Sequence, residues 1–338
     1  MKKFTFALFL MMLCGAIQLQ AKNWKVGPNS VPGMDFTSIN AAMSSSSVLA
    51  GDTLYLDQYY NESSSQNVTK RVIIIGTGYD TSLTDEQVVA TLTYELNLKA
   101  NNVEVKSVKL SYVYFYNEGC VLDRCYANSI STSSSTAGMN HIYSCYIDGS
   151  ISGYSNSPYS QMDIQNCLIT GDLRYLSNSI INNNTIVRTQ SGNYYCLYSN
   201  ISNTQITNNI ILNTSNYNYD INSSSIYGSG SGNTIEHNIF SRTSALTYYP
   251  TNKIGYGNSV SELFVQTGNY SDFYKLADKS PAKGYATDGG EVGCHGGMFG
   301  CPSGGRPQYI PYFTKVTVGS RSTDGKLPVS ISVKLQDE

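Results

Sequence analysis

One phrase recurs along the chain and limits what it can fold into: apolar, x, x, Cys or Asn, x, apolar. Its clearest copies are Ile142-Tyr-Ser-Cys145-Tyr-Ile147, Ile164-Gln-Asn-Cys167-Leu-Ile169, Ile181-Asn-Asn-Asn184-Thr-Ile186, Ile206-Thr-Asn-Asn209-Ile-Ile211 and Ile235-Glu-His-Asn238-Ile-Phe240. Two earlier copies place Val105 with Val108 and Leu110, and Leu122 with Cys125 and Ala127. The fourth positions are separated by 17, 20, 22, 17, 25 and 29 residues, whereas helical repeats hold a stricter period. Positions four and six share a face, as a strand demands, but the step from one to four is a residue too long for plain alternation. A bend must lie between them. The residue before the ladder position is Ser107, Arg124, Ser144, Asn166, Asn183, Asn208 or His237, and Asn in particular accepts a left-handed backbone. A strand, a bend and a second strand make one coil. Coils stacked about 4.8 Å apart build parallel sheets around a shared core, with the Cys and Asn positions forming internal ladders.

At these residues the chain resembles the right-handed parallel β-helix proteins of the pectate-lyase-like superfold, in which Asn ladders line one turn. Phe36-Thr-Ser-Ile39-Asn-Ala-Ala, followed by Ala50-Gly-Asp-Thr-Leu-Tyr-Leu56, is similar to that family's N-terminal capping helix and first strand. Arg71 to Tyr79 is similar to its early coils, while Tyr274 to Ala282 and Glu291 to Gly297 are similar to its closing coil. The resemblance implies an all-β fold: a right-handed parallel β-helix (solenoid) with an N-terminal capping helix, over residues 22–301. Beyond it, Pro307 and Pro311 mark a linker. Alternating Phe313–Val318 and Val329–Leu335 around Asp324-Gly325 predict a β-hairpin tail within residues 302–338, docked on the coil or left for a partner.

Residues 1–21 read as a signal peptide: Lys2 and Lys3, an apolar run from Phe4 to Ile17, then Leu19-Gln20-Ala21. The mature chain is expected to begin near Lys22 and to be secreted, periplasmic or at the cell surface. No later stretch reaches the roughly 20 apolar residues of a membrane span. With 22 basic and 24 acidic residues and no run of one sign, neither nucleic acid nor an anionic membrane is an expected partner.

The fold carries no reaction of its own, so chemistry must be sought in outward columns. A glycosidase needs two carboxyl groups roughly 5 to 9.5 Å apart, and a lyase needs a base beside a group that neutralises the substrate's carboxylate. The column after the first apolar position reads Lys106, Asp123, Tyr143, Gln165, Asn182, Thr207 and Glu236, with only scattered charges. The column before the last apolar position reads Lys109, Tyr126, Tyr146, Leu168, Thr185, Ile210 and Ile239, too apolar for a wet face, so a loop or the tail is expected to cover it. Asp148, Asp163, Asp172, Arg174 and Arg188 fall on nearby coils in different columns. The paired-Asp, Gly-His-Gly and Arg-x-Lys phrases of the polygalacturonase relatives are absent, so no catalytic residue transfers. No cofactor is expected, and calcium enters only under a lyase reading.

The two longest spacings come from insertions bearing Asn193-Tyr-Tyr-Cys-Leu-Tyr198 and Asn216-Tyr-Asn-Tyr-Asp220. Tyr rings stack on the C–H faces of sugars while Asn and Asp meet hydroxyls. Tyr194, Tyr195, Tyr198, Tyr217, Tyr219 and Asp220 are therefore the candidate carbohydrate-binding residues. The plainer reading is that a chain with 28 Tyr puts Tyr in every loop.

Cys294-His-Gly-Gly-Met-Phe-Gly-Cys301 lacks the fourth ligand of a zinc finger, and a small disulfide loop suits an exported chain better. Cys125, Cys145 and Cys167 stack on successive coils and read as buried thiols filling the ladder, while Cys120 and Cys196 have no assignment. His237 reads as a turn residue. These features favour a noncatalytic surface scaffold or glycan-binding protein, over a lyase or hydrolase of an extended acidic polysaccharide, and over an adhesin or assembly subunit using its tail.

Overall fold

The computed structural model describes residues 21–81, 88–133, 138–155, 160–188, 195–214, 220–222, 226, 232–241, 251–254, 260–265, 274–301 and 304–305, together with the strand backbones of 312–318 and 329–334. Two long parallel sheets dominate. Sheet one has ten strands in stacking order, from Asn23–Val26 to Thr234–Glu236. Sheet two runs from Asn61–Glu62 to Lys253–Ile254. In each sheet a strand pairs in parallel with the strands one coil before and one coil after it, and the chain passes from one sheet to the other within each coil, which makes a β-helix-like solenoid.

The repeat sets the register. Position one forms the inward column Val105, Leu122, Ile142, Ile164, Ile181, Ile206 and Ile235 of sheet one. Position six forms the inward column Ala127, Ile147, Ile169, Ile186, Ile211 and Phe240 of sheet two. All of these side chains are 0% exposed. The required bend falls where the spacing puts it: Ser107, Arg124, Ser144, Asn166, Asn183, Asn208 and His237 are all left-handed, with φ between 51 and 59°. Each costs an L-residue roughly 1 kcal/mol, offset by the apolar burial on either side.

Inside the bend runs the ladder. The Cys125 N–H donates to the Cys145 sulfur (3.3 Å), and the Cys167 N–H to Asn184 Oδ1 (2.9 Å). From there the N–H groups of Asn184, Asn209 and Asn238 each donate to the amide oxygen on the next coil, at 2.8 to 2.9 Å, ending on Asn252. The sequence phrase ends at Asn238, whereas the ladder continues one coil further, to Asn252. Cys120, Cys125, Cys145, Cys167 and Cys196 are buried free thiols, and Cys294 and Cys301 form a disulfide.

A second ladder lies two residues before position one. The N–H groups of Cys120, Met162, Ser179 and Thr204 donate to side chains of Asn140, Ser179, Thr204 and Asn233, at 2.9 to 3.3 Å. A third, shorter face follows sheet two. Its inward column is Val113, Ile130, Ile151, Leu173, Leu197 and Ile221.

The C-terminal end of the outward column of sheet two is covered, by the segment after the last coil: Ile210 and Ile239 pack with Leu263, Phe264, Leu276, Ala282, Ala286 and Val292. This segment then turns back along the stack as a strap laid on the bend column. Asn208 exchanges hydrogen bonds with Thr287, Asn183 Nδ2 donates to Glu291 O, Asn166 Nδ2 to Cys294 O, and the Ser144 hydroxyl lies 2.9 Å from the carbonyls of Phe299 and Gly300. The Tyr79 N–H closes the run on Gly304 O.

At the N-terminal end, helix Ile39–Ser44, capped by the Ser38 hydroxyl, lies beside strand Gln66–Val68. Tyr312–Val318 and Val329–Lys334 pair antiparallel as a separate two-stranded sheet; the turn at Asp324-Gly325 lies outside the described residues.

Candidate functional site

Along the third face, residues flanking the inward column point outward, as strand alternation requires. One flank reads Tyr114, Ser131, Ser152 and Arg174 in continuous register, and the pairing of Leu173 with Leu197 and of Leu197 with Ile221 extends it to Tyr198 and Asn222. The Arg174 guanidinium lies 5.9 Å from the Tyr198 ring centre, and the Tyr195 ring is 5.8 Å from that of Tyr198. Arg174 is anchored from both sides: its Nη2 donates to the Ser150 hydroxyl at 3.0 Å and lies 3.1 Å from Asp172. Tyr112, 46% exposed, adds a ring on the parallel flank. Tyr114 to Tyr198 spans four coil steps, roughly 19 Å at about 4.8 Å each.

The other flank continues through Ser129 and Ser150 to Asp172, Cys196 and Asp220, and there it is buried. The Arg188 guanidinium, 3.6 Å from Asp172, lies in the same buried cluster. Asp220 accepts from the Asn213 N–H at 3.0 Å and from the Ser241 hydroxyl, and is 1% exposed. Burial first, and the Asp220 charge second, push the Cys196 thiol well above its ordinary range, which leaves it unreactive. Asp172, Arg188, Cys196 and Asp220 thus form a fixed base beneath Tyr195 and Tyr198.

Of the sequence candidates, Tyr195 and Tyr198 lie together at the C-terminal end of the outward column, and Asp220 lies beneath it. Tyr194, Tyr217 and Tyr219 lie outside the described residues. Tyr112, Tyr114 and Arg174 complete the surface. Tyr112 and Tyr114 carry no mark in the repeated phrase, which ends at position six, before the chain turns onto the third face.

A second polar group occupies the outward side of sheet one. Asp163 accepts from the Tyr143 hydroxyl at 2.5 Å and from Gln165 Nε2 at 2.7 Å, and lies 3.3 Å from His141 Nδ1. Burial alone would raise the Asp163 carboxyl, but hydrogen bonds from His141, Tyr143 and Gln165 hold it below the ordinary value. Burial and the Asp163 charge drive the Tyr143 phenol upward. Phe299 of the strap stacks on Tyr143, 4.1 Å apart and 6° from parallel. Beside this pair is a cavity of about 290 Å³, walled in part by Lys106, Asp123, Arg124 and Met298. Its cations are already matched, Lys106 to Glu104 at 2.7 Å and Arg124 to Asp123 at 2.5 Å.

Asp148 stands apart, bonded to the Tyr126 hydroxyl and Thr170. The five charges are thereby sorted: Asp163 faces out from sheet one, Asp148 from sheet two, and Asp172, Arg174 and Arg188 meet at the third face. No helix among the described residues is long and apolar enough to cross a membrane. The chain matches no protein-family model, and no curated protein matches its sequence.

Proposed function

We propose that this chain is an exported, noncatalytic parallel β-helix that binds an extended glycan along its third face. The observation supporting this reading is the outward column from Tyr114 through Ser131, Ser152 and Arg174 to Tyr198. Rings at both ends offer stacking surfaces for sugar C–H faces, and the hydroxyls and guanidinium between them match a row of sugar hydroxyls. Arg174 is held in place before any ligand arrives, so little side-chain entropy is lost on binding. Each ring contributes about 1 kcal/mol. A glycan bound by the wild-type chain should therefore bind Tyr114→Ala/Tyr198→Ala roughly 30-fold more weakly. Unchanged binding in a glycan array or pull-down removes this face from consideration.

The second reading is a polysaccharide lyase or hydrolase, favoured by the His141, Tyr143 and Asp163 group beside Lys106 and Arg124. Two features weigh against it. Asp163 is stabilised as the ionised acceptor and the Tyr143 phenol as the protonated donor, so neither is poised to exchange its proton near neutral pH. Lys106 and Arg124 are each already paired with a carboxylate. A screen of acidic polysaccharides with and without calcium, reading unsaturated and reducing ends, separates the readings. Turnover abolished by Asp163→Asn would establish the second.

A further inference from the structure

A short loop in the strap, whose tip is Cys294 to Cys301, brings three metal-ligating side chains together. A ring nitrogen of His295 and the sulfurs of Cys294 and Cys301 lie within 4.8 Å of one another. The two cysteines are joined as a disulfide whose Cα atoms are 4.6 Å apart. We infer that this tip is a clip with two chemical states, a disulfide when oxidised and a zinc site when reduced.

In the reducing step an external dithiol or phosphine supplies two electrons. The S–S bond breaks and each sulfur gains a proton, both from the dithiol as it closes to its own disulfide, or both from a water whose oxygen the phosphine keeps as phosphine oxide. Zinc then takes both sulfurs as thiolates, releasing two protons to solvent, and takes the neutral His295 imidazole as third ligand. Zn–S bonds of about 2.3 Å and Zn–N bonds of about 2.0 to 2.1 Å, arranged tetrahedrally, put the ligand atoms roughly 3.6 to 3.8 Å apart. The sulfurs must part by less than about 2 Å from a bonded pair to reach that spacing. Water completes the shell, so the fourth protein ligand whose absence disfavours a zinc finger is not needed.

Accessibility at two of its three members distinguishes this trio from the other thiols, since Cys294 is itself 0% exposed. His295 and Cys301 are half-buried, whereas Cys120, Cys125, Cys145, Cys167 and Cys196 are 0% exposed. Burial pushes the thiols of Cys125, Cys145 and Cys196 well above their ordinary range, and a thiol that resists losing its proton is a poor zinc ligand. Either state of the clip ties the same two chain positions. Between them Phe299 stacks on Tyr143 and the Phe299 and Gly300 carbonyls sit on Ser144, so the clip fixes the strap wall of the sheet-one cavity.

The test uses the full mature chain, reduced with a phosphine under anaerobic conditions and titrated with Co²⁺ as a spectroscopic stand-in for zinc. We expect one Co²⁺ per chain with a thiolate-to-cobalt charge-transfer band, displaced by Zn²⁺, and no band from the unreduced chain. Cys301→Ser should abolish the band, and His295→Ala, which retains the disulfide, should weaken affinity by about 10-fold or more, at least as much as loss of an outer-shell partner does. Zinc added to the reduced chain should restore protease resistance of the strap. The inference is overturned by absence of the band in a reduced chain that keeps its far-UV CD. It is equally overturned by a band unchanged in both variants, or by loss of the coil on reduction, since the site requires a folded reduced state.

Discussion

Replacing Asn209 tests how much the amide ladder contributes. Its side chain, 0% exposed, donates to Ile181 O and Thr207 O at 2.8 Å and lies 2.9 Å from Asn238 Oδ1. Its oxygen accepts from the Asn184 N–H at 2.8 Å. Asn209→Ala strands that buried N–H at about 2 kcal/mol and forfeits hydrogen bonds worth about 1 kcal/mol net, some 3 kcal/mol together. At an m-value of about 3 kcal/mol/M for urea, the midpoint falls by roughly 1 M. Asn209→Asp is nearly isosteric yet sets a carboxylate against two carbonyls and another amide oxygen, so at pH 7 it should lose at least as much. Its folded pKa must lie above the unfolded value of about 3.9. A group raised in this way contributes fully below its unfolded pKa and loses that contribution as pH rises through its folded one. Asn209→Asp should therefore recover toward wild type between about pH 7 and pH 4 while Asn209→Ala should not. Urea melts by far-UV CD at the two pH values measure this. Midpoints within 0.3 M of wild type, roughly 1 kcal/mol at that m-value, for both variants at pH 7 would refute the reasoning.

Three further outcomes can be checked. Gly293 has φ +92°, and an added Cβ would meet Ile210 Cδ1 at 2.7 Å and Thr185 Oγ1 at 2.9 Å; Gly293→Ala should cost about 2 kcal/mol and speed proteolysis of residues 287–305 while the far-UV CD of the coil persists. Tyr143→Phe removes one of the hydrogen bonds that lower the Asp163 carboxyl, so that pKa should rise toward the ordinary value in a carboxyl-carbon NMR titration. Because a depressed pKa stabilises above the unfolded value and is lost as pH falls, the variant should show a smaller loss of stability on acidification. Finally, an aromatic disulfide reagent should find no reactive thiol among the five buried free cysteines in the folded chain, and all five in denaturant.

The coil was legible because its period is written in side chains that each have one admissible place. Ile142, Ile164 and Ile181 can only face the core, and that fixes the register of every neighbouring strand. The bend was legible from an extra residue that alternation could not absorb. What escaped detection has less distinctive chemistry. Ser179 and Thr204 build a ladder from hydroxyls that occur everywhere in this composition, and Asn252 follows its predecessor after only 14 residues, without the apolar first position. The third face escaped because its inward residues lie at variable distances from the phrase, so Tyr114 and Tyr198 look unrelated until pairing aligns them. Two of the six proposed contact residues could be placed together in advance because both belong to one insertion.

The bend column explains why Asn becomes the preferred residue partway along the stack. Left-handed geometry cannot be the whole reason, since Ser107, Arg124 and Ser144 adopt the same φ. The difference lies in what the side chain must reach. The strap also passes over Ser144, but there a hydroxyl only donates, to the Phe299 and Gly300 carbonyls; from Asn166 to Asn208 each amide donates to the strap, and Asn166 and Asn208 also accept from its Phe299 and Thr287 N–H groups. A short side chain that tolerates αL and also carries a donor and an acceptor leaves Asn as the natural choice. The same residue type inside the bend, at 184, 209 and 238, is needed for another reason, since it must donate and accept along a fully buried row. Consecutive asparagines such as Asn183-Asn184 and Asn208-Asn209 therefore serve opposite sides of one turn, the first clamping the strap outside and the second joining the coils within. The proposed glycan face lies across the solenoid from neither constraint: it uses the outward positions of a third side, where the coil leaves residue choice open and Tyr, Ser and Arg can be selected for contact.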